Sequence, residues 1–492
     1  MNLSHLKYLL LLAALPVNVM LTAAAESKPN IVHIVADDLG WKDVGFNGAT
    51  DIKTPNIDKL AAGGARFTQF YVQPMCTPTR AALMTGRYPF RYGLQTAVIP
   101  GTAGYGLDTS EWLMPQCLKE AGYHTAIIGK WHLGHADLKY WPKQRGFDYA
   151  YGATIGELDY YTHGDAGVLD WFRDNKPVHE KGYTTTLIGD DAVKYISQQD
   201  PSKPFYLYLA FNAPHTPYLA PKEIIARYSS IEDPTRRTYA AMVDCLDENI
   251  GKVVAALDKK GLRSNTLIFF HSDNGGTRDA MFAGQMADVS KIKLPCDNGP
   301  YRGGKGQLFE GGCRVAACAN WPGHIKPGVV DGLIHAVDLY PTLAALAGAS
   351  TAKCKPLDGL NVWDTIAENK PSPRTEIIYN LEPFRGAVRQ GDWKLIWRTL
   401  VPTSVDLYNL TEDPYEQNNV AAAHPDKVVA MQDRINALGK DAAKPLFLQY
   451  ITSVGLKHDK PVIGSEKGQP QALIGGGHSI TDEGFGETDI AH

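Results

Sequence analysis

Four short apolar runs, each ending in side chains that ionise or bind metal, constrain this chain more than anything else in it. Ile31-Val32-His33-Ile34-Val35-Ala36 ends in Asp37-Asp38-Leu39-Gly40. His124 to Gly129 leads into Lys130-Trp131-His132, Phe205 to Phe211 into Asn212-Ala213-Pro214-His215, and Leu267 to Phe270 into His271-Ser272-Asp273-Asn274. Runs this short, rich in branched and aromatic residues, are the pattern of strands covered on both faces of a parallel sheet. Helical periodicity lies between and after them, at residues 54–62, 112–121, 236–257 and 334–347. The expected class is α/β, with a large mixed and mostly parallel sheet sandwiched by helices. Open sheets of that kind bind ligands beyond the carboxyl ends of their strands, so the four run ends are expected on one edge.

The residue types at those ends suit a cation and an anion together. Asp37 and Asp38 are adjacent like charges, which repel unless a cation holds them. Asp273 and Asn274 add oxygen donors, and Gly275-Gly276 lets the loop turn closely around an ion. Three carboxylates and an amide without a histidine cluster favour calcium or magnesium over zinc. A second Asp-Asn-Gly, at Asp297-Asn298-Gly299, follows Pro295 and reads as loop. Lys130 and His132 alternate about Trp131 and would project to one side of an extended segment. Residues 65–72 read as one further strand, delivering the chain to Cys76-Thr77-Pro78-Thr79-Arg80. There Thr77 reads as a helix cap, Pro78 as a first-turn proline and Gly86 as the stop. The free N–H groups of such a helix start, with Arg80 in its first turn, build a site for an anion beside Cys76.

Bulk composition limits the partners. The 492 residues carry a net charge of -4 with both signs interspersed, so the chain shows no nucleic-acid footprint and no polybasic membrane patch. Residues 1–25, with Lys7, an apolar stretch and Ala23-Ala24-Ala25, read as a signal peptide rather than a stable membrane anchor. The expected location is outside the cytoplasm, in a bacterial periplasm or secreted. Seven cysteines follow, and if Cys76 is reserved for chemistry the other six can pair; Cys117 and Cys245 also suit core thiols. After Pro371 the pattern changes to alternating strand-like pieces, so residues 26–371 read as a catalytic α/β domain. Residues 372–463 read as a smaller α+β domain with an antiparallel sheet, and 464–492 as an irregular tail.

Cys76-x-Pro78-x-Arg80 followed by Thr85-Gly86-Arg87 resembles the sulfatase signature. The likeness extends through Ala36-Asp37-Asp38-Leu39-Gly40-Trp41, Thr54-Pro55-Asn56-Ile57-Asp58, Gly93-Leu94-Gln95, Gly129-Lys130-Trp131-His132-Leu133-Gly134, Asp273-Asn274-Gly275-Gly276 and Glu310-Gly311-Gly312. It covers nearly the whole chain after the leader and is nearest the arylsulfatase B type. The resemblance implies an alkaline-phosphatase-like fold and conversion of Cys76 to formylglycine by a maturation enzyme. It also implies a calcium ion held by Asp37, Asp38, Asp273, Asn274 and the modified Cys76. Arg80 and Lys130 would hold the hydrate of the aldehyde, and His215 and Lys305 the sulfate and its leaving oxygen. His132 would take the proton that lets the aldehyde reform.

The pattern departs from that type between Gly276 and Arg302, where an insert includes residues 281–286 and Cys296. The expected substrate is a sulfated polysaccharide, a 4-sulfated galacto-configured sugar such as a carrageenan or galactosaminoglycan. Aromatic and polar residues at 156–171 suit a sugar ring. Substrate contacts are expected from Gln95, His163, Asp165 and Arg302. The alternatives are a phosphodiesterase or phosphonate hydrolase on the same sheet, and a catalytically silent glycan-binding relative.

Overall fold

The structure, a computed structural model, describes residues 28–165, 167–278, 294–399 and 403–456. The expected leader, residues 281–286 of the insert and the 464–492 tail lie outside the described residues. Ten strands form the main sheet. Its spatial order is Gly328–Val330, Ala65–Phe67, Ala317–Asn320, Thr266–Ser272, Asn30–Ala36, Phe205–Ala210, His124–Gly129, Tyr149–Gly152, Phe172–Arg173 and Lys176–Pro177. The five from Thr266–Ser272 to Tyr149–Gly152 run parallel, and antiparallel strands flank them on both sides. Asn30–Ala36 is the axis, with Val35 in register with Ala210 on one side and His271 on the other. The strand ends carrying Asp37, Lys130, Asn212 and Asp273 therefore share one edge.

Alternation along the central strands builds two cores, one per face. Val32, Ile34 and Ala36 pack with the helices Thr184–Gln198 and Pro234–Lys259. Ile31 and Val35 face the helices Cys76–Thr85, Met114–Glu120 and Ala336–Ala347. Helix Pro55–Ala62 is capped from outside its own segment, because Asp247 accepts from the Asn56 and Ile57 amides at 3.1 and 2.8 Å. That contact puts a carboxylate where a helix start favours one.

Several boundaries differ from the sequence expectation. Residues 65–72 are not one strand: Ala65–Phe67 joins the main sheet and Phe70–Tyr71 pairs with Ile334–His335. The chain must leave the sheet there to carry Cys76 over its carboxyl edge. Helix Met114–Glu120 starts two residues later than expected, and helix Ala336–Ala347 follows a short strand that periodicity absorbed into it. All seven cysteines are thiols, six of them buried, so none of the open pairings is present. The helix Leu446–Leu456 was not anticipated.

The C-terminal sheet has four antiparallel strands, Glu376–Leu381, Arg385–Gln390, Trp393–Arg398 and Ser404–Asn409. One face packs under helix Pro425–Gly439 together with Ala82, Tyr88 and Phe90, so it buttresses the helix that begins at Cys76. The other face meets Tyr71, Phe309 and Cys313. A buried ion cluster joins the units there. Lys394 Nζ lies 3.0 Å from Glu310 Oε1 and 2.8 Å from Glu416 Oε1, and Tyr71 and Tyr379 donate to Glu310 at 2.8 and 2.5 Å. Burial, with Glu310 adding to it and Lys394 opposing, pushes the Glu416 carboxyl up to about 7.

Lys394→Met removes the cation shared by two buried carboxylates and leaves Glu310 only Arg314 at 3.5 Å, a change that costs about 3–5 kcal/mol when one partner of a buried pair is removed. The loss is smaller at about pH 6 than at about pH 8, because a Glu416 raised further by losing Lys394 takes up a proton at the lower pH. Thermal unfolding of the two proteins at both pH values measures it.

Candidate active site

Cys76 opens the helix Cys76–Thr85, all ten residues of which are buried. Met75, in extended conformation, occupies the cap position. Thr77 does not cap, contrary to the sequence expectation, because its hydroxyl is committed elsewhere: it donates to the His132 carbonyl and accepts from the Ile99 amide, each at 3.1 Å. The Cys76 thiol donates toward Asp37 Oδ1 at 3.5 Å. Burial, then Asp273 and Asp37, push the thiol well above its ordinary range, so the unmodified side chain is a poor anionic nucleophile here.

Three buried carboxylates face three buried cations. Arg80, one turn beyond Cys76 on the same helix face, sends Nε and Nη2 to Asp273 Oδ2 at 3.0 and 2.8 Å. Its Nη1 donates to the Lys130 carbonyl at 2.9 Å, and Nη2 lies 3.4 Å from Asp37. Lys130 Nζ donates to Asp37 Oδ2 at 2.5 Å. Lys305 Nζ sits 3.0 Å from Asp38 Oδ2 and 3.1 Å from His215 Nε2. Burial opposes ionisation of Asp38, yet Lys305 and the Asn274 amide hold its carboxyl low. Burial and Asp37 push Asp273 up, against Arg80.

His215 is placed by its neighbours. Its Nδ1 meets the Thr216 carbonyl at 2.7 Å; a carbonyl only accepts, so Nδ1 carries the proton and Nε2 accepts from Lys305. Burial and Lys305 bring its pKa down to about 3. Tyr160 donates to the carbonyls of Asn212 and His215 at 2.7 and 2.9 Å, fixing the loop from behind.

Lys130 and His132 both reach the site, but the extended alternation ends at His132, whose φ is +56°. Its ring is held edge-on by the Ile99 carbonyl, 3.2 Å from Nε2. Burial, Lys130 and Arg80 hold its pKa well below the ordinary range. The ring lies against bare backbone: a Cβ on Gly156 would stand 2.3 Å from Cε1 of His132. Asp170, buried, grips that loop through the Thr154 and Ile155 amides at 2.9 and 2.8 Å.

The donors fit a hard cation. Ligand atoms of Asp37, Asp38, Cys76 and His215 lie within 4.8 Å of one another. Asn274 Nδ2 donates to Asp38 Oδ1 at 2.6 Å, which leaves its Oδ1, buried and without a hydrogen-bond partner among the described residues, as an orphaned oxygen donor. Such an atom costs free energy unless something fills its lone pairs. Thr277, which the sequence reading passed over one residue beyond Gly275-Gly276, donates to Asp38 Oδ2 at 3.0 Å. Asn298 of the second Asp-Asn-Gly clamps Gly276, accepting from its amide and donating to its carbonyl at 2.8 Å each.

The four expected substrate contacts are dispersed. Asp165 lines a cavity of about 720 Å³ with Glu157, Asp159, His179 and Pro217, the last two residues beyond His215. His163 stacks on Trp171 and reaches the Gly182 carbonyl. Gln95 donates to the Ala443 carbonyl, and Arg302 lies over the Phe309 ring and donates to Tyr408.

Fold and site together define a hydrolase of the alkaline-phosphatase-like class, with its ionised centre at the carboxyl edge of the sheet. The family model described as Sulfatase matches residues 29–349, and one described as N-sulphoglucosamine sulphohydrolase, C-terminal, matches residues 304–441. Arylsulfatase J of Mus musculus is 34% identical over 475 residues, spanning 85% of this chain and 77% of the relative. N-acetylgalactosamine-6-sulfatase of Mus musculus is 36% identical over 408 residues, spanning 78% and 74%. Among solved structures, Ps i-CgsB in complex with k-i-k-neocarrahexaose superposes with a TM-score of 0.77 at 35% identity, over 85% of this chain and 94% of that one. A phosphonate monoester hydrolase of Agrobacterium radiobacter, at 19% identity and a TM-score of 0.59, shares the fold alone. The chain belongs to the sulfatase family and is a sulfuric ester hydrolase.

Gly156→Ala puts a methyl group into the His132 ring, so the ring shifts. Sulfate release is expected to fall by about tenfold to a hundredfold, the scale of an ångström-sized misplacement. Sulfate-release kinetics and thermal unfolding check it: a loss of rate with the melting temperature held is the expected result.

Proposed function

We propose that this sulfatase removes sulfate from a sulfated polysaccharide or its oligosaccharides, at a 4-sulfated galacto-configured sugar, using formylglycine at position 76 and a calcium ion. The observation that carries the chemistry is the orphaned Asn274 Oδ1 beside three buried carboxylates and Cys76, a ready-made oxygen set for a hard cation. The substrate class is supported by the names of the relatives, one an N-acetylgalactosamine-6-sulfatase and one solved with a neocarrahexaose. The cavity lined by Asp159, Asp165 and Pro217 offers room for a sugar ring.

Asp37, Asp38, Asp273, Asn274 and position 76 would hold the ion. The hydrate of the modified residue 76 would supply a hydroxyl nucleophile, and the ion cationic charge against the sulfate oxygens. The remaining work falls to the chain's own side chains. A sulfate ester enters with one negative charge, and displacement at sulfur spreads charge over its oxygens. Arg80, Lys130 and Lys305 are buried cations already fixed in place, so they stabilise that charge without reorganising at the moment of reaction. The proton for the departing sugar oxygen is held on the Lys305–His215 pair, where Lys305 Nζ donates to His215 Nε2. His132 keeps an unprotonated ring nitrogen, the acceptor a general base needs.

In this reading residues 26–371 are the catalytic unit, residues 372–463 the domain that supports it, and residues 1–25 a leader that exports the chain to a bacterial periplasm or beyond. Among the described residues no helix is long and apolar enough to cross a membrane. A dedicated enzyme that oxidises Cys76 is the required maturation partner.

The test is sulfate release from 4-sulfated and 6-sulfated galacto-configured oligosaccharides, with small aryl sulfates and phosphate diesters as parallel substrates. The 4-sulfated glycans are expected to be turned over fastest. No release from any glycan while aryl sulfates turn over well contradicts the substrate reading, and preferred cleavage of phosphate diesters contradicts the reaction. Removing calcium with a chelator is expected to abolish release and lower the melting temperature by several degrees, both reversed by calcium, since a ligand bound only to the folded state stabilises it. Asn274→Ala should shift that calcium titration to higher concentration.

A further inference from the structure

The hydroxyl of Thr77 closes a ring of hydrogen bonds around His132 that none of the roles above uses. Thr77 Oγ1 donates to the His132 carbonyl and accepts from the Ile99 amide, each at 3.1 Å, while the Ile99 carbonyl lies 3.2 Å from His132 Nε2. Ile99 is thus held by its amide and by its carbonyl, and His132 by its main chain and by its ring. Val98, next in the chain, packs with Met75 and Cys76, so the same segment also touches the residue to be modified. Because a carbonyl only accepts, the ring proton sits on Nε2, and Nδ1 is left as a bare lone pair. Nδ1 is buried and has no hydrogen-bond partner among the described residues. A buried nitrogen without a partner, on a ring that feels Lys130, Arg80 and Lys305, marks where the site expects a proton donor.

We propose that Thr77 is a positioning residue for His132: its hydroxyl fixes the Ile99 carbonyl on Nε2 and so keeps the Nδ1 lone pair free inside the site. The inference rests on the sulfatase reading for its catalytic consequence, but the tautomer it assigns is independent of that reading. It also gives the second position of Cys76-Thr77-Pro78-Thr79-Arg80 a role of its own. A valine there keeps the branched shape and loses both hydrogen bonds; a serine keeps both.

The test uses the full chain with histidine ring nitrogens labelled, and a His132→Asn variant to assign the signals. In the parent protein, nitrogen NMR should show His132 protonated at Nε2 and bare at Nδ1. Thr77→Val should populate the other tautomer, and Thr77→Ser should restore the parent pattern. Turnover is counted per converted Cys76, measured by peptide mass spectrometry, because Thr77 lies inside the stretch the maturation enzyme reads. Per converted site, Thr77→Val is expected to lose about tenfold to a hundredfold in kcat with KM nearly unchanged, the scale of a compromised general base, and Thr77→Ser to recover it. A parent His132 protonated at Nδ1 overturns the proposal even if Thr77→Val does not fold. So does a Thr77→Val protein with the parent tautomer, or with an altered tautomer and parental kcat. If the parent releases no sulfate from any ester but shows the Nε2 tautomer that Thr77→Val loses, the sulfatase chemistry falls and the positioning role stands.

Discussion

Burying three carboxylates together is the constraint on which the rest of this structure depends. Asp37, Asp38 and Asp273 are fully enclosed, where an uncompensated charge costs several kcal/mol or neutralises itself. The sheet brings them together because their strands are neighbours in register, and compensation must then come from elements that reach over that edge. Arg80 arrives from a helix, Lys130 from the next strand but one, and Lys305 from a loop that follows the glycines after Asn274. Three of each sign balance before any ion or substrate is counted, so the cations that would meet a further negative charge are already in place.

The C-terminal sheet packs against the elements that carry that balance. Ala82 of the Cys76 helix and Phe309, four residues past Lys305, pack into the two faces of the C-terminal sheet. The Lys394 cluster repeats the principle away from the reaction centre, with Lys394 between two buried carboxylates and with Arg314 and two tyrosines completing the surroundings of Glu310. Side chains at the site are likewise positioned from behind by groups with no role of their own in bond breaking. Tyr160 fixes the His215 loop, Asp170 the loop carrying Gly156, and Asn298 holds Gly276, two residues after Asn274.

The parallel sheet and the convergence at its edge were legible because both rest on local pattern: an apolar run, then an ionisable residue. Asp37, Lys130, His215 and Asp273 follow that rule directly. Thr277, Tyr160, Asp170 and Gly156 were not legible, since what marks them is a contact made across tens of residues and their types are common in loops. Thr77 was misread for a related reason. Its position before a proline suits a cap, but the tertiary contacts to His132 and Ile99 outbid a local bond, and Met75 took the cap position without a side-chain bond. The divided strand at 65–72 shows the same limit, because no glycine or proline marks a break between Ala65 and Val72 and only the need to climb off the sheet splits them. The cysteine count suggested pairing, whereas burial accounts for the thiols as core residues.

The central claim is that the site is built around an oxidised residue 76 rather than a cysteine. A thiol there is pushed away from its reactive form by burial, Asp273 and Asp37; in the proposed reading a hydrated aldehyde would offer oxygen to the same cations. Peptide mass spectrometry across residues 76–80, on protein purified from the native host, tests this most directly. The account predicts the aldehyde at position 76 in the active fraction; only unmodified cysteine in protein that still releases sulfate would contradict it.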